Sequence, residues 1–242
     1  MSRIIHTVEN MERDKGLELL ARRGWLSRVD DEFRETLLEN AEWRSFDAAE
    51  QITLAGDAEG DLIGLAEGFV AFHIAFGQPS APILHIGSPV FWMGYRPIVA
   101  DEARIATATA QSKVWCATIK RRRVRAMLDD RPDWWRHFVT LSLEYGDAAA
   151  LSGADLLIAN AEARLIAVLL RFAGLRGAIP NDDPVLVPVT QQELAGATNL
   201  SRNWVGTILR KLATAGWIET RYNGIEITDR DALLSALAAH ET

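Results

Sequence analysis

The chain has 242 residues, of which 48% are hydrophobic and 24% are charged, and its formal net charge is −7 at pH 7. This composition is typical of a globular protein, and no apolar run approaches the ~18 residues that a membrane-spanning helix requires. The single cysteine, Cys116, excludes an internal disulfide framework and any all-cysteine metal or iron–sulfur site within one chain.

The first forty residues predict two helices. Residues 9–23 and 30–40 look helical, and Asp30 or Asp31 can cap the second segment. Residues 1–15 contain neither an apolar core nor a small-residue cleavage site, so they do not resemble a secretory signal. We therefore expect a soluble protein of the cytoplasm.

Between about residues 45 and 120 the sequence consists of short alternating runs separated by glycine and proline. Alternation with turn residues about every ten positions is typical of an antiparallel barrel or jelly roll. Gly68 interrupts one run and predicts a bend or bulge there. The runs are QITLAGD (51–57), LIGLAEGFVAFHIAFG (62–77), APILHIG (81–87) and RIATATAQSKVWCATIK (104–120).

A long helix of about seven turns is predicted over residues 133–158, which contain no proline. Its large apolar face repeats at helical spacing through Trp134, Phe138, Leu141, Tyr145 and Ala148. Its small residues would let another helix approach closely, so we expect two copies of the chain to dimerise here. These small residues are Gly146, Ala149, Ala150 and Gly153. The alternative is that this helix packs only against the roll of its own chain.

A second helix is predicted over residues 161–173, ending at Gly174. The segment IPNDDPVLVP (179–188) follows it. Three prolines and three turn-forming residues in ten positions prevent a helix from continuing through this segment.

Residues 190–201 carry a series of helix-capping signals. Thr190 can cap a short helix over residues 191–197, and Glu193 completes a capping box. Asn199 falls where a tight turn requires a left-handed backbone, which asparagine tolerates better than most residues. Ser201 can then cap the next helix.

The two helices on either side of this turn would share one apolar seam. Ala195 is small where they would cross, and the seam consists of Leu194, Leu200, Val205 and Ile208. Within eighteen positions, the caps, the left-handed turn residue and the apolar seam all have the residue types that a helix-turn-helix requires at its fixed spacing. The sequence therefore predicts a helix-turn-helix.

A hairpin is predicted directly after the second of these helices. Gly216 can end the helix, and residues 217–220 and 225–228 alternate on either side of Asn223-Gly224, a strong hairpin signal. A helix-turn-helix followed by a hairpin is a winged helix, which binds double-stranded DNA. Four basic residues against two acidic ones give residues 190–223 a net charge of +2. This segment can therefore bind DNA phosphates although the whole chain is acidic.

This order of parts resembles the Crp/Fnr (cAMP receptor protein / fumarate-nitrate regulator) family of bacterial transcription factors. The resemblance extends from about Trp25 to Thr228 and is most specific at TQQELAGATNLSRNWVGTILRKLATAGWIE. It implies an α+β fold with a cyclic-nucleotide-binding-like β-roll, a long dimerisation helix and a C-terminal winged helix-turn-helix. The corresponding domains are residues 1–131, 132–159 and 160–242.

The resemblance also implies a DNA site. The family places the first turn of the second helix in the major groove, where Arg202 would bind guanine, Asn203 would fit adenine, and Thr207 is too short to replace an arginine. Trp204 would lie near phosphate, with its ring either against the sugar-phosphate backbone, which we favour, or packed onto the wing. Arg210 would contact phosphate. The full predicted DNA-binding set is Thr190, Gln191, Ser201, Arg202, Asn203, Trp204, Thr207 and Arg210. The implied partners are a palindromic DNA site, a second copy of the chain, and RNA polymerase.

The sequence departs from the family pattern where cyclic nucleotides bind. Members that bind cAMP hold its ribose with a glutamate after a glycine, but here Tyr95 follows Gly94. Arg104 matches the arginine that holds the cyclic phosphate, and Ile105 replaces the hydroxyl residue after it. On the long helix, alanines 149 and 150 replace hydroxyl residues that contact the base. A buried phosphate without its partners is costly, so we expect no cAMP binding at the effector segment marked by Gly94, Tyr95 and Arg104.

No cofactor is required by the sequence, and three sensor alternatives stay open. Some family members bind haem, for which His73, His85 and His137 are the candidate ligands. The aromatic residues Phe91, Trp92, Tyr95, Trp134 and Trp135 either line an apolar effector pocket or fill the core. The roll could instead serve only for contacts with other proteins.

Two further patterns have simple interpretations. The basic run KRRRVR (120–125) suggests nucleic-acid binding, but a solvated helical face is the preferred interpretation. No nucleophile elbow, phosphate-binding glycine loop or metal-spaced His/Glu pair is present, so we do not expect an enzyme.

Overall fold

The computed structural model describes residues 13–74, 82–176, 186–222 and 224–240. The chain divides into two compact units. The first contains the residues up to Phe72 together with Gly87–Leu143, and the second contains His73–Ile86 and the residues from Glu144 onward.

The first unit begins with two helices. Helix α1 covers residues 13–22, and helix α2 covers Asp31–Glu39. Asp30 caps α2 because its side chain accepts a hydrogen bond from the amide of Phe33 at 2.9 Å, which confirms the predicted cap. Residues 9–12 of the first predicted helix lie outside the described part of the chain.

Among the residues that the structure describes before position 120, eight strands form two four-stranded sheets. They are β1 (Glu42–Phe46), β2 (Gln51–Thr53), β3 (Leu62–Glu67), β4 (Val70–His73), β5 (Ile83–Gly87), β6 (Trp92–Met93), β7 (Thr107–Ala110) and β8 (Val114–Ile119). One sheet has the order β1-β8-β3-β6, and the other has the order β2-β7-β4-β5. The order of sequence-distant strands is that of a roll, as the alternating runs predicted.

The structure divides the predicted run 62–77 into two strands, and residues 75–77 of this run lie outside the described part of the chain. Gly68, with φ of +85°, lies between β3 and β4, which belong to different sheets. A Cβ atom at this position would lie 2.2 Å from the carbonyl oxygen of Lys113, so only glycine fits. Strand β1 was not predicted, because its burial is irregular and its sequence does not alternate.

The core between the two sheets is aliphatic. Its members come from β3, β4, β6, β7 and β8 and are Ile63, Leu65, Val70, Met93, Ala108, Ala110, Val114 and Cys116. Burial raises the pKa of the Cys116 thiol to about 11, so this cysteine is an unreactive core residue.

A second cluster in the first unit is aromatic. The ring of Trp25 makes edge contacts with Phe33, Trp92 and Phe138, at centroid distances of 5.8, 5.5 and 5.3 Å. Trp134 contacts Phe33 at 5.4 Å. Such edge contacts are favourable beyond simple burial, and they hold the start of the long helix against α2 and against the 3-10 turn at Trp25–Arg28.

Two helices flank β7 and β8 in sequence. Helix α3 covers Tyr95–Ala100, and helix α4 covers Arg121–Asp130. The long helix α5 covers Trp135–Leu157 and is preceded by a 3-10 turn at Pro132–Trp134. The prediction placed the start of this helix at residue 133, but the proline opens a tighter turn first.

In the second unit, helix α6 covers Ala161–Phe172. Asn160 caps α6 by accepting a hydrogen bond from the amide of Ala163, and Gly174 follows its end with φ of +70°. This agrees with the predicted second helix. Most of the proline-containing segment 179–188 lies outside the described residues.

The remaining elements of the second unit complete a winged helix. They are β9 (Leu186–Val187), α7 (Gln191–Thr198), α8 (Arg202–Thr214), β10 (Ile218–Arg221), β11 (Gly224–Ile227) and α9 (Arg230–Ala238). The small sheet has the order β10-β11-β9. Strand β9 and helix α9 were not predicted.

Candidate DNA-binding surface

The N-terminus of α7 is held by the predicted capping box. The hydroxyl of Thr190 accepts a hydrogen bond from the amide of Glu193 at 3.2 Å, and the Glu193 carboxylate accepts one from the amide of Thr190 at 2.7 Å. Gln191, the first residue of α7, is exposed. Its side-chain oxygen would lie 3.2 Å from a Cβ atom on Gly206 of α8, so its side chain reaches over the second helix.

The turn between α7 and α8 has the predicted left-handed residue. Asn199 has φ of 52° and ψ of 45°, and its amide donates to the carbonyls of Ala195 and Gly196. The amide of Leu200 donates to the carbonyl of Ala195 at 3.0 Å. These bonds satisfy carbonyls that the end of α7 would otherwise leave without a partner.

The two helices meet along the predicted apolar seam. Leu194, Val205 and Ile208 are buried, Ala195 is buried where the helices cross, and Leu200 is half-buried. Leu209 and Leu212, which were not predicted, are also buried. The opposite side of α8 is therefore left to solvent.

That solvent-facing side of α8 carries the predicted DNA-contacting residues. The hydroxyl of Ser201 accepts a hydrogen bond from the amide of Trp204 at 3.2 Å and so caps the helix. Arg202, Asn203 and Trp204 follow at the exposed first turn, and Trp204 is 51% exposed. One turn later, Thr207 is exposed as well.

The cations of this surface differ in whether a carboxylate neutralises them. Arg210 donates to the hydroxyl of Thr207 at 3.2 Å. Lys211, however, donates to the carboxylate of Glu162 on α6 at 2.6 and 2.8 Å. The net charge of +2 over residues 190–223 is therefore partly offset by Glu162, a carboxylate that lies outside this range in the sequence.

Arg221 on β10 is neutralised in the same way. Its guanidinium contacts the carboxylates of Glu219 and Glu226, each at 2.8 Å. Among the residues that the structure describes, the exposed cations of α8 that face solvent without such a carboxylate pairing are Arg202 and Arg210.

The hairpin that follows α8 is the predicted wing, with a loop one residue earlier than expected. Arg221 pairs with Gly224 across the hairpin, so Gly224 belongs to β11 and not to the loop. A Cβ atom on Gly224 would lie 2.9 Å from the Leu186 side chain of β9 and 3.3 Å from the carbonyl oxygen of Val187, so the third strand packs closely against this glycine. Asn223 lies outside the described residues.

A groove of about 470 Å³ lies between α7, α8 and the wing. The lining includes Thr190, Gln191, Arg202, Thr220 and Arg221. Tyr222, at the tip of the wing, is 95% exposed. Sequence reasoning did not identify Tyr222, although the hairpin signal at residues 223–224 marks its neighbour as a tip.

The predicted effector residues lie in the first unit, around α3. Gly94 caps α3 with φ of 93°, and Tyr95 is the first residue of the helix. Burial raises the pKa of Tyr95, and the positive charge of Arg96 opposes this shift. The Tyr95 phenol is therefore neutral at pH 7 and carries no charge with which to replace a glutamate.

Arg104 is buried, with 7% of its side chain exposed. Its Nη2 donates to the backbone carbonyl of Asp61, and its Nε lies 3.7 Å from the Asp57 carboxylate. Burial lowers the pKa of this guanidinium, and the charges of Asp57 and Asp61 oppose the shift.

The candidate haem ligand His137 already has a partner. Its Nε2 lies 2.6 Å from the Asp30 carboxylate, which also accepts a hydrogen bond from Arg136 at 3.0 Å. Burial opposes ionisation of Asp30, but the hydrogen bonds from Phe33, His137 and Arg136 lower its pKa to about 2. His73 and His85 lie on β4 and β5.

Two of the five aromatic candidates for an apolar pocket are core residues. Trp92 and Trp134 are almost completely buried in the aromatic cluster around Trp25. Phe91 is half-buried and contacts Phe72 at a centroid distance of 5.2 Å, and Trp135 is half-buried against Phe138 at 6.5 Å. These contacts favour the core interpretation of the aromatic residues.

Two features are absent from the part of the chain that the structure describes. Within it, no helix combines the length and apolarity that would let it cross a bilayer. No group of three or more histidine, cysteine, aspartate or glutamate side chains among the same residues is arranged to hold a metal ion.

Comparison with known proteins adds two findings. A profile of the Crp-like helix-turn-helix domain matches residues 163–236. A search of curated protein sequences found no match.

Several solved structures share the fold. The structure of FixK2 from Bradyrhizobium japonicum has a TM-score of 0.66 and 15% sequence identity, covering 81% of this chain and 96% of that chain. A CRP-family transcriptional regulator from Thermus thermophilus has a TM-score of 0.63 and 23% identity, with coverages of 81% and 96%. The c-di-GMP-responsive global regulator CLP from Xanthomonas campestris has a TM-score of 0.61 and 19% identity, with coverages of 82% and 99%.

These findings confirm the predicted resemblance and the α+β fold class, with a cyclic-nucleotide-binding-like sheet domain before the helix-turn-helix. Residues 163–236 form a Crp-like helix-turn-helix domain, and the chain has the fold of the Crp/Fnr family of transcriptional regulators.

Proposed function

We propose that the chain is a dimeric, sequence-specific DNA-binding transcriptional regulator of the Crp/Fnr type that does not bind cAMP. The observation that carries this proposal is the exposed first turn of α8, where Ser201 caps the helix and Arg202, Asn203 and Trp204 face solvent. The first turn of α8 is capped and exposed, and the other side of the helix packs in a buried apolar seam. These are the features of a recognition helix that enters the major groove.

Base recognition is assigned to three residues of α8. Arg202 can donate two hydrogen bonds to O6 and N7 of guanine, and Asn203 can pair with N6 and N7 of adenine. The hydroxyl of Thr207 donates to the carbonyl of Asn203 at 3.0 Å and accepts from Arg210. We expect Thr207 to shape this surface rather than to provide a long-reaching base contact.

Phosphate contacts are assigned to the ends of the surface. Arg210 is exposed on α8, and the N-terminus of α7 presents Thr190, Gln191 and the backbone amides of its first turn, which favour anions. The half-exposed indole of Trp204 can lie against the sugar-phosphate backbone. Because Lys211 and Arg221 already pair with carboxylates, they are not expected to contribute strongly.

Dimerisation is proposed along α5. One stripe of exposed residues runs along this helix with spacings that alternate between four and three positions. The stripe consists of Val139, Leu143, Gly146, Ala150, Gly153 and Leu157. This is the repeat of a coiled-coil seam, and Leu157 is 85% exposed. Neither Gly146 nor Gly153 has a neighbouring atom within 4 Å of the position of a Cβ atom, which leaves room for a second helix. The proposed domains are a sensor roll at residues 1–131, this helix at 132–159, and a DNA-binding domain at 160–242.

A two-fold dimer determines the form of the DNA site. Two recognition helices related by a two-fold axis read half-sites about one helical turn apart on a palindrome. RNA polymerase is a further proposed partner, because regulators that bind DNA in this way act on transcription.

Loss of cAMP binding is supported by the residues around α3. The Tyr95 phenol stands where a carboxylate is needed for the ribose, and the Arg104 guanidinium is buried against the carbonyl of Asp61. A cyclic phosphate would have to displace these contacts and would find no hydroxyl at Ile105.

The proposal is tested by selecting bound sequences from random duplex DNA with the full-length protein. We expect an enriched palindrome whose half-sites each contain a guanine. Enrichment of no motif, or of a motif without two-fold symmetry, would contradict specific binding by a dimer.

A further inference from the structure

The segment around α3 contains an unusual density of paired charges. Five cations contact acidic side chains there: Arg96 with Glu102, Arg104 with Asp57, Lys120 with Asp61, and both Arg121 and Arg125 with Asp101. Part of the run KRRRVR, for which a solvated helical face was preferred, is therefore committed to this segment. Of the residues of this run, Arg122 and Arg123 are exposed.

Arg121 uses its whole guanidinium fork to join α4 to two other segments. Its Nε donates to the carbonyl of Pro97 at 3.1 Å, its Nη1 donates to the carbonyl of Ala58 at 3.3 Å, and its Nη2 donates to Asp101. A planar fork that satisfies three acceptors is geometrically restrictive. Arg121 thus fixes α3 and the loop at residues 57–61 with respect to α4.

Arg125 holds the same end of α3. It donates to the carbonyl of Ile98 and to the Asp101 carboxylate, each at 2.7 Å. The last carbonyls of a helix lack partners within the helix and carry partial negative charge. In a helix of only six residues, these two arginines satisfy carbonyls that would otherwise favour fraying.

Arg104 fixes the other side of the segment. Its guanidinium lies where Cβ atoms on Gly60 and Gly94 would approach within 2.0 and 2.8 Å. Two glycines therefore provide the space that the side chain fills. The Arg104 backbone also donates to the carbonyl of Asp57 at 2.9 Å and accepts from the amide of Gly56 at 2.8 Å.

We propose that this arginine clamp takes the place of a bound effector by holding α3 in one position. In the clamp, Arg121 and Arg125 bind Asp101 and the carbonyls of α3, and Arg104 is bound to the carbonyl of Asp61 and packs beside Gly94 at the start of α3. The regulator then requires no ligand at α3 to reach its DNA-binding form. The consequence for DNA binding rests on the proposed function. The clamp itself can be measured in the free protein, without DNA.

Asp101 offers a conservative way to open the clamp. It has φ of 55° and ends α3 in the left-handed region, which asparagine also tolerates. Asp101→Asn therefore keeps the backbone and removes the charge shared by Arg121 and Arg125. Asp129→Asn, an exposed position on α4, is the matched control, and Arg121→Gln is a second test of the same clamp.

Hydrogen exchange of the full-length protein, followed by mass spectrometry of the peptide that covers α3, measures the clamp without DNA. We expect protected amides in the parent, no change with millimolar cAMP, and about tenfold or faster exchange in Asp101→Asn and Arg121→Gln but not in Asp129→Asn. Fast exchange in the parent that slows when cAMP is added would overturn the proposal, as would parental exchange in both clamp variants. If the α3 amides of the parent exchange as expected but the protein does not bind DNA, only the proposed function is contradicted.

Discussion

Arg171 of α6 donates its Nε hydrogen to the Oδ2 atom of Asp155 on α5 at 2.8 Å, and the Asp155 side chain is completely buried. Arg176 contacts the other oxygen of the same carboxylate. Arg171 also donates to the carbonyl of Leu84 on β5 at 2.9 Å. One buried carboxylate therefore organises contacts from α5, α6 and β5 within the second unit.

Asp155→Ala is expected to destabilise the chain strongly. Removing this carboxylate leaves the buried Arg171 without its charge partner, and breaking a buried pair costs about 3–5 kcal/mol. Urea unfolding monitored by far-ultraviolet circular dichroism measures the change. Asp147→Ala, at an exposed position of the same helix, is the control and should change stability little. Equal effects of the two substitutions would show that the ion pair does not stabilise the second unit.

The turn of the helix-turn-helix gives a second prediction. Asn199 has a left-handed backbone, with φ of 52°, which costs most residues roughly 1–2 kcal/mol. We expect Asn199→Val to lower the free energy of unfolding by about that amount, and Asn199→Gly to preserve it because glycine has no Cβ penalty. Urea unfolding of the two variants compares them directly, and a loss that is the same in both would indicate that the asparagine side chain matters more than its backbone.

The turn was predictable because its signals are local. Thr190, Asn199 and Ser201 each form contacts within four residues, so residue type at fixed spacing is sufficient to predict the two helices and their caps. The apolar seam repeats at helical spacing for the same reason. Strand β9, by contrast, is only two residues long and pairs with β11, so no periodic pattern exists to reveal it.

The charge of the surface was predicted less well. Lys211 pairs with Glu162, which lies 49 positions earlier in the chain, and only the folded arrangement of α6 and α8 brings them together. The preferred interpretation of the basic run as a solvated helical face holds for Arg122 and Arg123, which are exposed, but not for Arg121, whose acceptors lie at Ala58, Pro97 and Asp101. Long-range ion pairs decide which cations face a ligand, and spacing along the sequence does not record them.

A third prediction concerns the proposed dimer. Gly146 lies in the exposed stripe of α5, with no atom within 4 Å of a Cβ position. Both Gly146→Ala and Gly146→Leu should stabilise the helix of the free chain, because glycine costs a helix interior about 0.8–1 kcal/mol relative to alanine.

The two variants should differ in assembly. A leucine side chain would hold apart two helices that meet closely at this position, whereas alanine adds a single methyl group. Sedimentation equilibrium at micromolar concentration should show a dimer for the parent, a dimer for Gly146→Ala, and a weakened dimer for Gly146→Leu. A monomeric parent would remove the basis of the proposed palindrome, and an unaffected Gly146→Leu dimer would place the interface elsewhere.

A fourth prediction concerns cyclic nucleotides. Titration calorimetry with millimolar cAMP should give no binding signal, because Arg104 is already bound to the carbonyl of Asp61. In the proposed correspondence, Tyr95 and Ile105 also stand where members that bind cAMP have a carboxylate and a hydroxyl. A cyclic-nucleotide-binding member of the family serves as the positive control. Submillimolar affinity would show that the effector segment has been assigned to the wrong residues.

The last prediction separates base recognition from phosphate contact on α8. Arg202 lies at the exposed first turn, and Arg210 lies two turns later, beside Thr207. Arg202→Ala should cost roughly 1–3 kcal/mol of binding free energy on the preferred site and relax the preference at one base pair, because its guanidinium pairs with guanine. Arg210→Ala should weaken binding to all sequences about equally and reduce the salt dependence of binding, since it loses a phosphate contact. Selection from random DNA with the parent and both variants, followed by binding titrations at several salt concentrations, distinguishes the two effects. If Arg202→Ala enriches the same motif as the parent, this helix does not read bases through Arg202.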